Sequence, residues 1–297
     1  MDLGIAGKTA LVAASTGGLG LAVARALAAE GVRVAIVGRR RDRAKEIVAE
    51  LQTAYGHRVS GPGVAGAEVA GPGVAGAGVA GAEAAGSRVP GFDAVAIEAD
   101  LTTPEGITSA VEQTVADLGP IDILVLNGPG PKPGAAAALS SEDIAAAFDL
   151  LVKPHHALVS HVLPGMRERR WGRVLAIGSS GVAAPLPNLA VSNTGRAALA
   201  GYLKTLAAEV ALDSVTVNML LPGRIATDRV AELDHAAAKR RGTSVEDIQL
   251  ESRKTIPARR YGEPEEFGAA AAFLCSAPAS YITGVALRCD GGLIRSL

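Results

Sequence analysis

Short apolar runs alternate with longer amphipathic stretches along this 297-residue chain, and that alternation constrains the fold most. Residues 8–14, 32–37, 94–99, 121–126, 173–177, 215–220 and 285–288 read as strands. Between them, 20–30, 40–54, 104–118, 140–170, 188–212 and 264–275 read as helices, with two polar helices between 227 and 254. Pro154 marks a break or restart in the fourth of these. Strands apolar throughout are buried on both faces, and helices between them are the crossovers of a parallel sheet. The expectation is a single doubly wound α/β domain, with a mostly parallel sheet of about seven strands flanked by helices.

One segment stands outside the pattern. Residues 61–86 read GPGVAGAEVA, GPGVAGAGVA, GAEAAG, a repeat too rich in Gly and Pro to continue a helix or ladder. Two and a half short repeats cannot stack into a solenoid core, so the expectation is a flexible, dispensable surface insertion.

Composition excludes several functions. The charges balance, 29 Lys+Arg against 30 Asp+Glu, which gives no bulk attraction to nucleic acid or an anionic membrane. Aromatic residues are 3% of the chain, too few for base-stacking platforms. Cys275 and Cys289 cannot make a disulfide framework or thiolate metal site, and the five histidines lack zinc-ligand spacing. No metal is expected. The start lacks a secretory pattern, and the Ala-rich stretch 269–287 is broken by Ser276, Pro278, Ser280 and Thr283. A soluble cytoplasmic protein is expected.

The first strand runs into Ser15-Thr16-Gly17-Gly18-Leu19-Gly20 and then a helix. Glycines there let backbone approach a pyrophosphate, and the helix start supplies N–H donors. A Gly-rich turn can also simply end a strand, so the context carries the argument.

These residues resemble the short-chain dehydrogenase/reductase family, in particular its 3-oxoacyl-acyl-carrier-protein reductases. Gly18 and Gly20 match the last glycines of its turn; its Thr-Gly opening is Ala13-Ala14 here, a departure expected to reshape the turn slightly. Asp100-Leu101 stands at the adenine side, Asn127-Gly128 after the fourth strand, and Pro222-Gly223-Arg224-Ile225-Ala226-Thr227 beside the nicotinamide. The tail, from Gly262-Glu263-Pro264 through Tyr281-Ile282-Thr283-Gly284 to Asp290-Gly291-Gly292, is also similar. The resemblance covers everything but the repeat and implies a Rossmann domain, residues 227–262 forming its substrate loop. Strand two ends in Gly38 rather than an acid, with Arg39, Arg40, Arg41 and Arg43 following. A guanidinium suits a 2′-phosphate, which favours NADP (NADPH) over NAD.

The family's catalytic Ser, Tyr, Lys and Asn are where the resemblance breaks. Ser179 matches the Ser. Thirteen residues on stands Ser192 in place of Tyr, then Arg196 in place of Lys, and Leu151 occupies the Asn position. Lys204-Thr205-Leu206-Ala207 fixes that register. A serine hydroxyl is far less acidic than a phenol, and Arg196 cannot shuttle protons but can hold ribose oxygens and stabilise an alkoxide. His155 shares the face of Leu151, as a candidate acid or, more ordinarily, a buried interface histidine. No G-x-S-x-G elbow supports a hydrolase.

Two functions remain open. One is an NADP-dependent oxidoreductase acting on a carbonyl/alcohol pair through Ser179, Ser192 and Arg196. The other is a catalytically inactive NADP(H)-binding homologue serving as a sensor or partner protein. The resemblance implies a homotetramer or homodimer built on the two long helices and the last strand.

Overall fold

The computed structural model describes residues 1–56 and 92–296. The repeat at 61–86 lies outside them.

Seven strands form one sheet, all in parallel, in the order β3-β2-β1-β4-β5-β6-β7. They are β1 (Thr9–Val12), β2 (Arg33–Gly38), β3 (Ala94–Glu98), β4 (Ile123–Leu126), β5 (Gly172–Ile177), β6 (Val215–Pro222) and β7 (Ala286–Cys289). The helices are α1 (Gly18–Ala29), α2 (Arg41–Tyr55), α3 (Pro104–Leu118), α4 (Ser141–Leu151), α5 (Lys153–Glu168), α6 (Ala190–Val210), α7 (Asp228–Arg241), α8 (Val245–Thr255) and α9 (Pro264–Leu274). This is the single Rossmann-type domain that the apolar alternation predicts.

Strand side chains alternate between two cores. Leu11, Val37, Leu124, Val174 and Met219 face Ala110, Leu158 and Leu203 of α3, α5 and α6. Val12, Ile36, Val125, Leu175 and Leu220 face Leu27, Ile47 and Phe267 of α1, α2 and α9. Burial on both faces explains why the strands read as unbroken apolar runs.

Helix boundaries follow from local chemistry. Thr103 caps α3, accepting from the Gly106 amide, with Pro104 in the first turn, a cap typically worth about 1 kcal/mol. Ser140 and Asp143 form a reciprocal capping box on α4. Pro154 cannot donate an amide, so the 140–170 stretch divides at Val152 into α4 and α5.

β1 and β4 are neighbours, with Val12 beside Val125, although β2 and β3 intervene in sequence. The sheet order reverses there, and a crevice opens at the strands' C-terminal ends.

Candidate active site

After β1 the chain turns sharply into α1. Gly18 is left-handed at φ +55°, and so is Ala14 at φ +47°. The turn is therefore not reshaped to suit alanine. Ala14 adopts the conformation glycine would take, at a typical cost of about 1–2 kcal/mol. Its surroundings fix it: Asn127 Nδ2 donates to the Ala14 carbonyl at 3.1 Å, and the Ser15 amide donates to Val37 at 2.9 Å. Ser15 Oγ bonds Val12 and accepts from the Val37 amide, so its hydroxyl serves the fold and it offers a ligand only backbone. A Cβ on Gly20 would sit 2.6 Å from the Ala14 carbonyl oxygen and 2.7 Å from Asn127 Nδ2, so only glycine lets α1 start this close.

The start of α1 has no side-chain cap on Gly17 and no acidic residue in its first turn. A Cβ on Gly18 would meet nothing within 4 Å. Amides, dipole and open space together fit a dinucleotide pyrophosphate.

Beside the cradle, Arg40 Nη2 donates to the Thr16 carbonyl at 2.9 Å and reaches Thr16 Oγ1 at 3.3 Å. Gly38 makes room: a Cβ there would be 2.9 Å from Thr16 Cγ2. Arg39 is exposed, and its charge acts on Asp100. Hydrogen bonds from the Thr102 hydroxyl (2.7 Å) and amide (3.0 Å) chiefly hold the Asp100 carboxyl below its usual range. Leu101 packs half-buried on the first core.

Across the crevice, Ser179 caps a short helical turn (Ser180–Val182), its Oγ accepting from the Gly181 amide at 3.1 Å. Ser192 is half-buried in the first turn of α6. Its neighbour Asn193 bonds both backbone groups of Leu186 and ties down the intervening loop. Arg196 has a task the sequence did not suggest. Its Nη1 donates to the Ile177 and Gly178 carbonyls at 2.9 and 3.0 Å, at the end of β5. Burial lowers its pKa, and so enclosed a guanidinium needs acceptors, which the strand end supplies.

His155 is buried, Nδ1 donating to the Leu151 carbonyl at 2.7 Å, with the Asn127 backbone also against the ring. Burial first, then the charge of Arg196, lowers its pKa, and it sits neutral between helix and strand end. A Cβ on Gly128 would lie 3.7 Å from its Nε2. Each tyrosine is committed away from Ser192: Tyr55 to Phe92, Tyr202 to His156, Tyr261 to Asp234, while Tyr281 is fully exposed.

The segment after β6 borders the same crevice. Gly223 lies tight against Asp290, Ile225 is buried in the second core, and Thr227 caps α7. Here sequence reasoning missed Asp234, a fully buried carboxylate on α7. Arg224 Nη1 lies 2.5 Å from one oxygen, and Tyr261 donates to the other at 2.9 Å. The available signal was an acid on a stripe with Val230 and Ala238, where an amphipathic helix carries apolar residues.

A family model described as enoyl-(acyl carrier protein) reductase matches residues 63–294, and one described as short chain dehydrogenase matches residues 8–64. The chain belongs to the short-chain dehydrogenase/reductase family. It therefore has the fold and homology of NAD(P)-dependent oxidoreductases. Among short-chain relatives, the 3-oxoacyl-[acyl-carrier-protein] reductase of Aquifex aeolicus is 30% identical, over 99% of this chain and 100% of that one. Human dehydrogenase/reductase SDR family member 4 is 31% identical, over 97% and 88%. The crystal structure of L-sorbose reductase from Gluconobacter frateurii with NADPH and L-sorbose superposes with a TM-score of 0.83 at 28% identity, covering both chains fully. A Brucella melitensis 3-ketoacyl-(acyl-carrier-protein) reductase with NADH superposes at 0.74 and 26% identity, covering 98% and 99%. Short-chain enzymes thus bind either nicotinamide cofactor on this framework. No helix among the described residues is long and apolar enough to cross a membrane.

Proposed function

We propose that this protein is an NADP(H)-dependent oxidoreductase acting on a carbonyl/alcohol pair, similar to 3-oxoacyl reductases but with an altered polar set. The observation that carries the cofactor choice is Arg40 lying across Thr16, with Gly38 where an NAD-binding chain has an acid. Arg40 and Arg39 hold the 2′-phosphate; the amides of Thr16 to Gly20 hold the pyrophosphate, with Ser15 shaping the turn beneath them. Asp100 and Leu101 flank the adenine, and Asn127, Gly128, Pro222, Gly223, Ile225 and Thr227 border the nicotinamide.

NADPH supplies hydride when bound. Ser179 and Ser192 hydrogen-bond the substrate carbonyl oxygen, and the Arg196 charge, anchored at the end of β5, favours the developing alkoxide. With no phenol at position 192 the final proton comes from solvent, which makes turnover slow by roughly 10²–10⁴ against a site with its general acid. The test is NADPH oxidation with ketones, keto esters and quinones. Tight NADPH binding with no turnover on any of these sinks the enzyme reading.

That outcome would favour the second reading, an NADP(H)-binding sensor or partner protein. One observation supports it: Arg196 Nη1 is spent on two backbone carbonyls. Under either reading the protein works in the cytoplasm as a homotetramer or homodimer, with Ile144 and Phe148 of α4 and Leu287 of β7 as exposed apolar contacts. A monomer by light scattering at micromolar concentration overturns the assembly.

A further inference from the structure

Asp234 sits where a carboxylate costs most. It is wholly buried on α7, a helix with only Ala238 for buried company. Both of its oxygens are used, one by Arg224 and one by the Tyr261 hydroxyl. The Tyr261 ring is flanked by two guanidinium groups, Arg224 at 5.8 Å and Arg253 of α8 at 5.7 Å. Backbone joins two of these segments directly. Gly262 donates to the Arg224 carbonyl at 2.9 Å, and Ala226 donates to the Gly262 carbonyl at 2.8 Å.

Arg224 stands inside the 222–227 segment, between Gly223 and Ile225. Whatever fixes Arg224 therefore fixes the backbone on both sides, and with it Thr227, the cap of α7. Burying an ion pair adds little net stability, but losing one partner strands the other, so the pair strongly favours one geometry.

We propose that Asp234 is a positioning residue that buckles α7 and the 256–262 turn onto the 222–227 segment, setting the nicotinamide side of the site before cofactor arrives. The claim that this segment meets cofactor rests on the function proposed above; the claim that it is held in the cofactor-free protein does not. The 222–227 segment and α7 are pre-ordered, so cofactor affinity is not spent on folding them.

The experiment compares wild type, Asp234→Asn and Tyr261→Phe as full-length proteins. Amide exchange of residues 225–240 is followed without cofactor, and NADPH binding and turnover are measured separately. Wild type is expected to protect 225–240 without cofactor. Asp234→Asn should lose that protection, regain it with saturating NADPH, and raise KM for NADPH roughly tenfold with kcat changed less. Tyr261→Phe, which removes one hydroxyl, should move both readouts the same way by a smaller factor and keeps the test alive if Asp234→Asn does not fold. Fast exchange of 225–240 in cofactor-free wild type overturns the proposal, as does wild-type exchange and KM in both variants. If wild type binds no NADPH, the functional reading fails while the exchange comparison still decides whether the buckle exists.

Discussion

Leu151 of α4 fills the space that a side chain on Gly195 of α6 would need. A Cβ on Gly195 would lie 2.8 Å from Leu151 Cδ1 and 2.9 Å from the Ala147 carbonyl oxygen. Leu151 and the glycine beside Arg196 are thus one packing solution. Gly195→Ala should destabilise by about 1–3 kcal/mol, as overpacking does. In Gly195→Ala with Leu151→Ala the two costs should fall short of their sum. Denaturant midpoints for both singles and the double decide it; simple additivity refutes the coupling.

Ala14 holds a backbone conformation suited to glycine, so Ala14→Gly should relieve strain. Glycine's greater unfolded-state freedom offsets part of the gain, leaving about 0.5–1 kcal/mol. A thermal midpoint raised by about 2 °C with cofactor affinity unchanged is the expected result. A lowered midpoint would mean that the Ala14 methyl contributes more than its backbone costs.

Arg40→Ala should weaken NADPH binding by roughly 10- to 100-fold, the value of hydrogen bonds to a charged group, and leave NADH binding nearly unchanged. Fluorescence titration with both cofactors reads the ratio. Equal losses for the two would assign Arg40 to holding Thr16 rather than to recognising a phosphate.

Arg196→Ala should remove most turnover and weaken NADPH binding, while Ser192→Ala lowers turnover and spares affinity. The double change Ser192→Tyr with Arg196→Lys supplies a phenol and a smaller cation, and should raise carbonyl reduction. Leu151 limits that gain because it remains apolar. Steady-state kinetics on one accepted ketone separate these outcomes, and wild-type behaviour in both alanine variants removes the pair from the chemistry.

His155 is neutral in the fold because burial, and then Arg196, disfavours its charged form. The unfolded chain has an ordinary histidine, titrating near 6.5, and so takes up a proton first as pH falls. Stability should therefore be full above about pH 6.5 and decline below it, down to the lower folded value. His155→Gln should flatten that slope. Urea midpoints at about pH 7.5 and about pH 5.5 give the comparison, and a slope of opposite sign would mean that both ring nitrogens are protonated against the two carbonyls.

The fold was legible because burial on both faces writes itself directly into composition: the β4 run Ile123–Leu126 is apolar at every position. Pro154 announced the division of α4 from α5 through its missing amide. The sharp turn after β1 was legible from its glycines set between a strand and a helix, since Gly18 and Gly20 answer separate demands, a left-handed turn and a close approach. Direction was harder to read. Ser15 and Asn127 look like ligand contacts in sequence, yet their side chains bond the protein. The stripe with Val230 and Ala238 could have marked Asp234 as buried, but its pairing with Arg224 and Tyr261 was invisible because it depends on three segments meeting in space.

The order of the strands has a consequence for descent. Under the proposed function, the phosphate and adenine contacts follow β1, β2 and β3, whereas Ser179, Ser192 and Arg196 follow β5 and continue on α6. In the sheet the crevice between β1 and β4 lies between the two groups. A lineage built this way can exchange the reacting groups of one half while the other keeps its ligand, without passing through an unfolded ancestor. Ser192, Arg196 and Leu151 beside a turn that keeps Gly18 and Gly20 are the pattern such a separation permits.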